Sequence, residues 1–146
     1  MLTVGVDTYV LPGESNELIS QVLPASNPLR QAWEVLDESE KEGYLAAALR
    51  RLENLNFVGQ RVWSYQPLKF PRIARRQPIV FEGAPEEVKR AQAVWATEIV
   101  REELFIKKRN AEVCRALGIP DAAADDRLPV QVEELLHRWL TSWRKV

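Results

Sequence analysis

The residues with the means to do chemistry lie between Arg50 and Arg76. This stretch carries seven basic residues, Arg50, Arg51, Arg61, Lys69, Arg72, Arg75 and Arg76, against one acidic residue, Glu53. Trp63, Tyr65 and Phe70 are interleaved with them. Basic residues set among aromatics can follow a nucleic-acid backbone. The same cations can pair with acidic patches on a second copy of the chain, because the rest of the chain is net acidic and the total charge is only -1. A solvated arginine-rich loop would have the same composition.

Other chemistry is thinly represented. The one histidine, His137, and the one cysteine, Cys114, make neither a metal site nor a nucleophile–base pair. A single cysteine also excludes an intrachain disulfide. Glu102-Glu103, Asp125-Asp126 and Glu133-Glu134 are adjacent carboxylates, and adjacent side chains point apart on a helix. There is no glycine-rich phosphate loop. The expectation is a protein without enzymatic activity, cofactor or metal. Apolar residues at 46% and charged residues at 28% suit a soluble globular chain, and 146 residues suit one domain with a tail. No run approaches the roughly 20 apolar residues of a membrane span, so no membrane partner is expected. Met1-Leu2-Thr3-Val4 lacks the start of a signal peptide. Five tryptophans hint at contacts with other proteins.

The elements that must position the basic stretch read as helices. Residues 1–13 look extended or irregular, and Glu14 to Val22 form a short helix. Asn27-Pro28 opens a helical turn that carries Trp33. Ser39-Glu40-Lys41-Glu42 reads as a capping box, opening a helix to about Asn54 with Leu45, Leu49 and Leu52 as its buried stripe. Phe57 folds back as a core anchor. Residues 60–84 form a long connector. Within it Gln66-Pro67-Leu68-Lys69-Phe70-Pro71-Arg72 cannot be helical, since each proline pushes its predecessor towards an extended conformation. This segment is expected to strap the flanking helices together, with Ile79-Val80-Phe81 as a short β-prone run. Pro85-Glu86-Glu87 opens the main helix, which carries Val88, Ala91, Trp95 and Ile99 and can reach Leu117 before Gly118 stops it. These four, with Leu45, Leu49, Leu52 and Phe57, are the expected core.

Residues 119–129 read as a polar linker. Beyond it Val132, Leu135, Leu136, Trp139, Leu140 and Trp143 share one face of a last helix. The chain thus divides into a helical domain, 1–118, and a linker with an amphipathic helix, 119–146. The overall class is all-α: a small bundle with a long central connector, a short β-hairpin as an option within it, and a C-terminal docking helix. Whether that helix folds back on its own domain or docks elsewhere is open from its pattern alone.

The order of motifs resembles a known family. Trp33, Glu40-Lys41-Glu42 with Leu45 and Ala48, Leu52 to Leu55, then Phe57, Gly59 and Arg61 are followed by the Gln66–Arg72 block and by Pro85-Glu86-Glu87-Val88-Lys89-Arg90-Ala91-Gln92. Over roughly residues 30–100 this is similar to the tailed-phage head–tail connector (adaptor, or head-completion) proteins, whose relatives are sometimes labelled DnaT-like single-stranded DNA-binding proteins. The chain departs from the pattern at Pro67 and at Leu11-Pro12-Gly13. The resemblance implies a virion protein, assembled in the host cytoplasm, that forms a homo-oligomeric ring, commonly of twelve copies, at the head–tail interface. Its implied partners are the portal, the tail or stopper, and genomic DNA passing through the channel. Leu128 and the apolar stripe Val132, Leu135, Leu136, Trp139, Leu140 and Trp143 would dock on the portal. Arg61, Lys69, Arg72, Arg75 and Arg76 would line a subunit interface or the DNA channel, outside the monomer core. The alternative is a single-stranded DNA-binding replication accessory protein of the same helical type.

Overall fold

Helix α4 (Glu86–Arg101) is the axis of the fold. Ten of its residues are buried, including the unbroken run from Ala91 to Thr97, so it is enclosed on all sides. The structure, a computed structural model, describes residues 2–75, 77, 83–103, 112, 115–118 and 128–141. Around α4 pack α1 (Pro12–Val22), α2 (Pro28–Glu34), α3 (Glu38–Glu53) and a last helix, α5 (Val130–Leu136). Small residues at Ala48 of α3 and at Ala91, Ala93 and Ala96 of α4 are all buried and permit close helix approach. The fold is mainly helical, with one two-stranded sheet among the described residues, β1 (Gln60–Arg61) and β2 (Arg72–Ile73).

Local chemistry sets the helix starts. Asn27 caps α2, its side-chain oxygen accepting from Leu29 N–H at 2.8 Å, with Pro28 first in the helix. Helix α3 begins earlier than the Ser39 box suggests. Asp37 is the cap: its Oδ1 accepts from Glu40 N–H at 2.8 Å, and Glu40 Oε1 accepts from Asp37 N–H at 3.4 Å. Aspartate and serine both cap well and each is followed three residues on by a glutamate; the box that forms is the earlier one, Asp37 with Glu40.

All eight expected core residues are buried, from Leu45, Leu52, Val88 and Ala91 at 0% exposure to Phe57 at 8%. Residues 2–11 lack helix but are far from loose. Thr8, Tyr9 and Val10 are buried, tied to α4 through Gln92. The Gln92 amide donates to Thr8 Oγ1 at 2.8 Å and to Leu45 O at 2.9 Å, and its Oε1 accepts from Tyr9 N–H at 3.0 Å. A buried amide so saturated carries little desolvation penalty and fixes the register of three segments.

The described strands lie within the long connector, and Ile79-Val80-Phe81 falls outside the described residues. β1 and β2 pair antiparallel, Gln60 opposite Ile73 and Arg61 opposite Arg72. Gly59 makes the approach possible. Its φ is +77°, and a Cβ there would stand 2.1 Å from Ile73 O. The regular part of α4 ends at Arg101 and is followed by a wider turn at Glu102 and Glu103. Gly118 has φ +69° and donates to Arg115 O at 3.3 Å, as a helix stop does.

The C-terminal segment folds back on its own chain. Val132, Leu136, Trp139 and Leu140 are at most 2% exposed, Leu128 and Leu135 are half-buried, and Trp143 lies outside the described residues. Val58 N–H donates to Trp139 O at 2.7 Å, and Thr141 N–H to Asn56 O at 3.2 Å. Trp139 meets Phe70 edge-to-face at 5.1 Å and donates its indole N–H to Glu87 Oε1 at 2.9 Å; Arg138 pairs with the same carboxylate. A docking helix held ready for a partner would keep its stripe accessible; this one has placed four of the seven expected docking residues in the core. No helix among the described residues is long and apolar enough to cross a membrane.

Candidate nucleic-acid interface

The basic connector is a hairpin whose base is knotted into the core and whose tip faces solvent. The knot starts at Glu53, the last residue of α3. Its carboxylate accepts from Lys69 N–H at 3.0 Å and from the Tyr9 hydroxyl. The Tyr9 oxygen in turn accepts from Phe70 N–H at 3.2 Å. Burial pushes the Tyr9 hydroxyl well above its ordinary pKa, and Glu53 pushes it further, so it stays a donor. Phe70 lies beneath, edge-to-face with Tyr9, Phe57 and Trp139. The Phe70–Pro71 peptide bond is cis.

Arg72 closes the knot. Its guanidinium donates to Val58 O at 3.0 Å, Lys69 O at 3.2 Å, Phe57 O at 3.4 Å and Gly59 O at 2.7 Å. It is thus committed to the monomer, and the expectation that Arg72 acts only outside the core is corrected here. Four carbonyls of two converging segments find one planar donor. Lys69 is half-committed: its ammonium donates to Leu55 O at 2.7 Å and stands 5.9 Å from the Phe57 ring centre. Burial lowers its pKa; Glu53 opposes the shift, while Arg72 and Arg61 add to it. Burial and then Arg61 likewise lower that of Arg72. Three cations therefore crowd the hairpin base, and the carboxylate among them, Glu53, is already engaged.

Outward from the base the side chains change character. Arg61 is exposed, directly opposite Arg72. Trp63 and Tyr65 are 44% and 80% exposed, with their rings stacked at 6.1 Å and 24°. Gln66 holds this turn: its Oε1 accepts from Trp63 N–H at 3.0 Å, and its amide donates to Leu68 O at 2.7 Å and Pro71 O at 2.9 Å. Arg50 and Arg75 are exposed, Arg51 pairs with Glu102 at 3.0 Å, and Arg76 lies outside the described residues. Sequence reasoning noted Trp63 and Tyr65 but did not place them in a site. The signal was there in their spacing, two residues apart beside Arg61.

A positive hairpin bearing a solvent-facing aromatic pair suits a polyanion with flat groups. The profile of the family described as "Putative DnaT-like ssDNA binding protein" matches residues 5–117. The chain belongs to this family. No curated protein and no solved structure matches it. The match corrects the head–tail connector reading, and with it the ring of copies, the portal and tail or stopper partners, the DNA channel and the virion location. The resemblance that suggested them runs through the Gln66–Arg72 block, and that block is a packing device in this DnaT-like chain. The matched span covers α1 to α4 and the whole hairpin, whereas α5 lies beyond it.

Proposed function

We propose that this chain binds single-stranded DNA as a non-enzymatic accessory protein, through the hairpin face that carries Arg61, Trp63 and Tyr65. The family match over residues 5–117 is the observation that carries the reading. The local charge supports it: the net charge of -1 is spread over the chain, while Arg61, Lys69 and Arg72 are gathered at one place. A field of that kind attracts phosphates locally even on a neutral protein. Among the described residues from β1 to the end of β2 and just beyond it, Arg61 and Arg75 are exposed cations that can meet phosphates directly, with Lys69 and Arg72 adding field from behind.

The test is fluorescence anisotropy with a labelled oligothymidylate, titrated at several salt concentrations beside a duplex of equal length. Affinity should fall with salt with a log–log slope near -0.7 per phosphate contacted, so about -2 for three contacts. Arg61→Ala combined with Arg75→Ala should flatten the slope. Absence of single-strand binding even at low salt, or equal affinity for the duplex, would overturn the reading.

A further inference from the structure

We infer that the Trp63–Tyr65 pair is a stacking subsite for one unstacked nucleobase, seated on the outer face of Tyr65. This rests on the single-stranded DNA reading and adds what recognises the base. Three observations lead there. First, the two rings already form a stack, 6.1 Å apart and 24° from parallel, so one face of Tyr65 is taken by Trp63. Second, Tyr65 is 80% exposed, so its remaining surface lies open to solvent. Third, the turn is held by Gln66 through hydrogen bonds to Trp63, Leu68 and Pro71, so the ring pair is positioned before any ligand arrives.

The other aromatics near the hairpin are occupied differently. Phe57, Phe70, Tyr9 and Trp139 are buried in mutual edge contacts. Among the described residues of the hairpin, the ring pair at the tip is what offers a face. The charge around it selects the occupant. Arg61 and Arg72 stand at the strand ends from which this loop springs, with the Lys69 ammonium near enough to feel both, so a flat group reaching Tyr65 should be tethered to an anion. A base on its phosphodiester meets both demands. Stacking of this kind is tolerant of sequence, since every base has a π-face, and a base paired in a duplex does not present that face. The subsite therefore favours single strands without reading their sequence.

The experiment compares two probes of equal length and charge on the full chain: an oligothymidylate and an abasic oligomer. Wild type should bind the thymidylate on the order of tenfold more tightly than the abasic strand. Tyr65→Ala should lower thymidylate affinity to the abasic level and leave the salt slope unchanged, whereas Tyr65→Phe should retain the preference. Equal affinity of wild type for both probes, at normal salt dependence, would overturn the stacking subsite while leaving the single-stranded DNA reading intact. A Tyr65→Ala variant that keeps the full preference would do the same. Binding to neither probe would remove both.

Discussion

Arg61 and Arg72 face each other across the hairpin, yet they serve different ends. Arg72 gathers the carbonyls of Phe57, Val58, Gly59 and Lys69, while Arg61 is exposed. Arg72→Ala should therefore lower stability by about 2 kcal/mol, as hydrogen bonds from a charged donor are lost. Arg61→Ala should stay within about 0.5 kcal/mol of wild type. Urea unfolding of the two variants separates these roles, and equal midpoints would show that Arg72 is no clasp. Glu87 makes a pH-dependent contribution. Burial pushes its pKa up, but the hydrogen bonds from the Trp139 indole and from Arg138 outweigh this and hold it below the ordinary carboxylate value. A depressed folded pKa means that the stabilisation is present above the unfolded value of about 4.3 and lost as pH falls through the folded one. Glu87→Gln should thus be less stable than wild type near neutral pH, and the gap should close in acid. A gap that stays constant from neutral to acid in urea titrations would rule out this linkage.

At the scale of elements, the C-terminal segment is part of the core. Trp139, at 1% exposure, packs on Phe70 and is bonded to Val58 and Glu87. Trp139→Ala should cost on the order of 3–5 kcal/mol, and truncation after Leu128 should abolish the cooperative unfolding transition. A truncated chain with a wild-type midpoint would return the segment to the status of a detachable tail. The helices themselves were legible. Asn27-Pro28, Pro85 with two glutamates, and the spacing of Val88, Ala91, Trp95 and Ile99 each state their element locally. The apolar face of α5 was legible too, but not what covers it, because an amphipathic stripe looks the same whether it meets its own chain or another. The Arg72 clasp was hidden for a related reason. Which carbonyls converge on a guanidinium is a tertiary fact, and a basic residue in a proline-rich stretch reads as solvated until the fold brings Phe57 to Gly59 alongside.

At the scale of the molecule, a bundle around one enclosed helix supports a hairpin that is rigid at its base and open at its tip. Rigidity below and exposure above are what a stacking platform needs, because the ring pair is ordered before it binds. The family name and the hairpin point to the same ligand, whereas the fold alone does not name one. Photo-crosslinking tests this central claim most directly. An oligonucleotide carrying 5-iodouracil should be irradiated with the full chain and the adducts located by mass spectrometry. The account predicts adducts on Tyr65 and Trp63, competed away by unlabelled single strands and not by duplex. Adducts confined to other parts of the chain, or none above background at saturating protein, would contradict it.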